Sequence, residues 1–123
     1  MSTLKADTIQ NTSGGAATLT KQHAAKSWAN FDGTGTIALR DSFNVASLTD
    51  LATGKYETNF TNSMDSGNFA IQLCSDATSS NDAFNRSAAG SNNTASKGHL
   101  RHYESNSLTN VELMISTVHG DLA

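Results

Sequence analysis

The chain has 123 residues and a formal net charge of −3, enough for one domain with one core and far from the charge excess of a random coil. Leu, Ile, Val and Phe together make up less than a fifth of it, a lean supply that points to a second chain completing the core. Eight basic and eleven acidic residues are scattered singly, which argues against nucleic acid as a partner, and no run of about 18 apolar residues predicts membrane insertion.

Proline is absent, so turns fall to Gly, Asn and Asp. The one cysteine, Cys74, cannot form an internal disulfide and reads as a small strand residue. No apolar signal segment is seen at the start, so synthesis in a cytoplasm is expected.

Residues 1–20 are polar, with isolated Leu4, Ile9 and Leu19 around Gly14-Gly15. Such a segment is either an extended arm that docks on another surface through those three side chains or a frayed terminus. A strand is expected from about Lys26 onward. In GTIALRD, Ile37 and Leu39 share one face, and in KYETNFT the inward set is Tyr56, Thr58 and Phe60. NFAIQLC places Phe69, Ile71 and Leu73 together, and NVELMIS does the same for Val111, Leu113 and Ile115. Asp32-Gly33 with Gly35, Thr53-Gly54, and Asp65 to Asn68 supply turn chemistry with positive φ.

These alternations predict an all-β fold, an antiparallel β-sandwich over residues 21–123 preceded by the extended N-terminal arm. Residues 75–98 hold one large apolar side chain, Phe84, and read as a long surface loop or weak edge segments, either a recognition surface or a simple connection. HLRHYES predicts a strand with His99, Arg101 and Tyr103 on one side and Leu100 and His102 on the other.

No catalytic, cofactor-binding or metal-ligating set emerges. His99 and His102, three apart on a strand, point to opposite faces and cannot clamp one ion, although a single histidine repeated about a threefold axis would. The nucleophile elbow Gly-x-Ser-x-Gly is missing, and Asp32, Asp41, Asp50 and Asp65 sit at turns or strand ends, where they cap backbone amides. The expectation is a protein that is not an enzyme and takes no cofactor.

The segment KSWANFDGTGTIALRDSFNVASLTDLATGKYETNF, with Lys26, Trp28, Asn30, Phe31, Gly33 to Thr36, Arg40 to Val45, Thr49, Asp50, Gly54, Tyr56, Asn59 and Phe60, resembles a module of bacteriophage tail-fibre-like virion proteins, common in phages of marine bacteria and cyanobacteria. STLKADTIQNTSGG looks like the segment that often precedes it. The resemblance implies a virion structural protein, a homotrimeric β head anchored by its arm to other phage proteins of the capsid, neck or tail. Trp28, Arg40, Phe43 and Tyr56 are the candidate trimer-interface residues; Trp28 faces away from Phe31 and is buried either between chains or in its own core. Phe84 and Tyr103 are candidates for surface recognition. With one module and no shaft repeats, a short knob or head fibre fits better than a long host-reaching fibre. The alternatives are a capsid cement protein and a carbohydrate-binding module that reads a host surface glycan through Trp28, Tyr56 and Tyr103.

Overall fold

The structure, a computed structural model, describes residues 10–14, 24–76, 83–84, 92–104 and 107–123, and among these there is no helix. The arm residues Leu4, Ile9 and Leu19, and the 77–82 and 85–91 parts of the long connection, lie outside the described residues.

The chain is all-β, as the alternations predict. Its strands are β1 (Ser27–Asp32), β2 (Ala38–Phe43), β3 (Val45–Ala52), β4 (Lys55–Phe60) and β5 (Ala70–Ser75). They are followed by β6 (Ala83–Phe84), β7 (Lys97–Arg101), β8 (Tyr103–Glu104), β9 (Ser107–Leu108) and β10 (Met114–His119). One sheet runs β2-β1-β10-β5, a second β3-β4-β7, and a small third β6-β8-β9; every strand pair is antiparallel.

The first two sheets share a core, which makes the body a sandwich. Ala29, Phe31 and Met114 from one meet Tyr56 and Leu100 from the other, with Val111 closing the end. Phe31 and Tyr56 touch edge to face, their ring centroids 5.3 Å apart, a geometry that adds roughly 0.5–1.5 kcal/mol to plain burial. A second cluster of Phe60, Met64 and Val118, with Phe69 against Phe60, fills the opposite end.

Two connections set this geometry. β3 and β4 form a tight hairpin whose Gly54 has φ +64, and a Cβ there would lie 2.7 Å from the Thr109 nitrogen. β2 passes into β3 through one residue, Asn44, at φ 56, so the chain leaves the first sheet and enters the second at a single left-handed corner. Asn is the ordinary residue most tolerant of that region.

Several expectations need correction. The inward set near the C-terminus is Met114, Ser116 and Val118, not Val111, Leu113 and Ile115: β10 starts only at Met114, and Val111 is buried from an irregular segment. Ile37, just before β2, packs on the core but Leu39 is 36 % exposed on the edge strand β2, where a register shift opposite Asn30 and Phe31 leaves Arg40 as an extra residue. The 99–105 strand is interrupted at His102, so that β7 and β8 join different sheets. Gly35 and Gly54 adopt positive φ as expected, whereas Gly33 does not: a Cβ there would lie 2.5 Å from the Tyr56 hydroxyl, so close approach and not backbone twist demands glycine.

Candidate functional site

Alternation on β1 sends Ser27, Ala29 and Phe31 inward and Trp28, Asn30 and Asp32 outward. The outward side of the β2-β1-β10-β5 sheet therefore carries Trp28, flanked across the strands by Phe43 and Thr117. One step along, Asn30 lies between Asp41 and Ile115, with Cys74 beyond Ile115 on β5. Phe43 is 54 % exposed, the largest exposure among the large apolar side chains described, while Trp28 and Ile115 are half-buried and Cys74 is exposed. This face places two aromatic residues opposite each other on adjacent strands.

At the β1–β2 end of the same sheet, Arg40 lies 3.5 Å from Asp32 and 3.6 Å from Glu112. The Thr34 hydroxyl and N–H both donate to Asp32 Oδ1, at 2.6 and 2.8 Å, and with the Arg40 guanidinium they hold that carboxyl below its usual range. Arg40 is thus engaged within its own chain, an exposed pair of small energetic weight.

Of the four residues assigned to an interface by sequence, three border this face and one does not. Tyr56 is fully buried in the chain's own core and presents no surface to a partner or a glycan. Its hydroxyl donates toward the Gly33 carbonyl at 2.9 Å, with Asn110 Oδ1 at 3.0 Å, and Asn110 Oδ1 also accepts the Gly54 N–H at 2.7 Å. Burial, reinforced by the carboxylates of Asp50 and Asp32, pushes the phenol up to about 12. The amphipathic character of tyrosine explains the misreading: a residue fit for a surface platform also serves a core when its hydroxyl finds a partner.

Tyr103 is half-buried in β8, opposite Phe84 of β6 and Leu108 of β9. Among the described residues no group of three His, Cys, Asp or Glu side chains is placed to hold a metal ion. His99 and His102 do point apart, although only His99 lies in β7: His99 Nε2 meets Glu57 Oε1 at 2.8 Å, and His102, between β7 and β8, is buried inside.

His102 Nδ1 is 2.9 Å from Ser75 Oγ, a pairing that no spacing in the sequence signals. The pair unites a hydroxyl with a base, but His102 is only 1 % exposed, its Nε2 has no hydrogen-bond partner among the described residues, and its backbone N–H and C=O bind Gly54 and Thr109. Burial holds the imidazole below its ordinary value, with Glu104 pulling the other way. Its place is a junction among the three sheets, between β7 and β8 and against Ser75 of β5.

No family model, curated protein or solved structure matches the chain.

Proposed function

We propose that the chain is a structural subunit of a bacteriophage particle, a fibre-like β-sandwich head that forms a homotrimer through the outer face of the β2-β1-β10-β5 sheet and is fixed to its neighbours by residues 1–20. The observation that supports this most is the outward pair Trp28 and Phe43, side by side on adjacent strands, with Phe43 more than half exposed. Sealing such an aromatic away from water is worth roughly 1.5–3 kcal/mol per side chain, a large gain for a domain of this size. Aromatic residues on a sheet face, with few charges between them, are what the buried centre of a protein interface requires. The likeness of residues 1 to about 74, and of the strand at 111–118, to phage fibre-like proteins supplies the biological setting.

Sedimentation of the purified chain tests the assembly. The wild type is expected to run as a trimer and Phe43→Ser as a folded monomer; a wild type that stays monomeric at high concentration overturns the reading. Immunogold labelling of the particle in which the chain is made tests the setting, and absence from purified particles would refute it.

A further inference from the structure

The outer face of the β3-β4-β7 sheet, on the other side of the sandwich, carries a charge arrangement that folding alone disfavours. Lys55 of β4 stands directly opposite Arg101 of β7. Both point away from the core, because their neighbours Tyr56 and Leu100 fill it, and both are half-buried. Like charges directly opposed across a strand pair oppose sheet formation. Among the described residues neither cation forms an ion pair.

The rest of this face shows that charge is neutralised elsewhere. One pair along, Glu57 accepts His99 Nε2 at 2.8 Å and Lys97 Nζ at 3.3 Å, so the one carboxylate of this outer row is already shared by two basic groups. Asp50, the nearest acidic residue of β3 in register, sits opposite Tyr56 and bridges to neither cation. Of the five lysines and arginines among the described residues, three stand on this face of a chain whose net charge is −3.

We infer that Lys55 and Arg101 form the anion-binding centre of a surface for an acidic polysaccharide, a glycan bearing carboxylate or sulfate groups. An arginine beside a lysine suits such an oxyanion, the guanidinium binding two oxygens at once. The surroundings choose the polymer. Asn59 Nδ2 reaches Ser47 Oγ at 3.1 Å and Thr49 Oγ1 at 3.0 Å, so the same strands hold a row of hydroxyls and an amide able to meet sugar hydroxyls. Leu51 is the one large exposed apolar side chain described on β3, β4 and β7, too little for the apolar centre of a protein contact. Duplex nucleic acid presents a charge about every 1.7 Å and demands a longer basic stripe, and an anionic membrane is met by clusters of about four to eight basic residues. Two cations without an ion pair among the described residues match a sparsely charged chain. This inference rests on a different face from the proposed trimer contact, and either can fail without the other.

Retention of the full chain on immobilised polyuronate and dextran sulfate at low salt, against neutral dextran, tests it. The wild type is expected to bind both acidic polymers and to release as salt rises. The double substitution Lys55→Gln with Arg101→Gln should weaken binding at least tenfold, while Lys26→Gln, a cation elsewhere, should leave it unchanged. The double variant should melt no lower than the wild type, since a repulsion has been removed. Equal retention on neutral dextran, equal loss in Lys26→Gln, or tighter binding to single-stranded DNA or to phosphatidylserine vesicles than to polyuronate would each overturn the inference. Sedimentation of the same samples reports the trimer separately.

Discussion

The side-chain amide of Asn44 pairs with the backbone of Asn62 as a peptide group would. Asn44 Nδ2 donates to the Asn62 carbonyl at 3.1 Å while Asn44 Oδ1 accepts the Asn62 N–H at 2.7 Å. The same Nδ2 also donates to the Lys26 carbonyl at 3.0 Å, and the Asn44 carbonyl accepts the Thr61 N–H at 3.2 Å. One residue thus fastens the start of β1, the β2–β3 corner and the end of β4. Asn44→Ala loses these side-chain bonds and leaves a β-carbon in the left-handed region without local support, at a cost of about 2–3 kcal/mol. Asn44→Gly relieves the strain and should cost less. Urea unfolding midpoints at constant m-value check the order wild type, Gly, Ala.

A second prediction concerns the contact between Gly33 and Tyr56. Tyr56→Phe removes the hydroxyl from the Gly33 carbonyl and should destabilise by about 1–2 kcal/mol. Gly33→Ala should cost more, since its Cβ would meet Tyr56 Oη at 2.5 Å, Cζ at 2.8 Å and the Val111 carbonyl at 2.9 Å. In the double variant the loss of the hydroxyl relieves only the first of these, so a thermal-unfolding cycle should show partial rescue, not full.

The buried imidazole of His102 sets a pH dependence. Its folded-state value lies below the ordinary 6.5, so the unfolded chain binds more protons once pH falls to that region. The stability it contributes is complete above about 6.5 and declines as pH drops through the lower folded-state value. His102→Gln is expected to flatten this part of the stability curve between pH 7 and 5, read by urea midpoints at each pH; an unchanged slope would show that another group governs it.

On the proposed reading, deleting residues 1–20 should leave a folded sandwich that keeps its trimeric state, because Phe31, Tyr56, Leu100 and Met114 build a core with one another. Incorporation into particles should fall to background, measured by immunoblot of purified virions carrying the shortened gene.

The sandwich was legible because Tyr56, Thr58 and Phe60 alternate cleanly, and so do the half-buried Phe69, Ile71 and Leu73. Where the signal failed, a physical cause is visible. β3 is a sheet edge with irregularities after Val45 and after Asp50, which scramble its period. β10 hides its phase by burying Ser116 between Met114 and Val118 while half-exposing Ile115. The candidate site was partly legible. Trp28 and Phe43 fall on one outward face because β1 alternates cleanly and Phe43 is the register partner of Trp28 on β2. The opposition of Lys55 to Arg101 was out of reach, since those residues are 46 positions apart in sequence and meet only through the β4–β7 register.

The Asn44 corner also decides how the body answers a pull. Lys26 is the residue at which the described chain enters β1, and it is gripped twice, its N–H by the Val118 carbonyl and its carbonyl by Asn44. Tension arriving from the N-terminal side is therefore divided at once between β10 in one layer and, through Asn44 and Asn62, the end of β4 in the other. Peeling β1 away alone requires breaking the rivet that joins both layers, so mechanical toughness is built into the first turn of the body and not spread along its length.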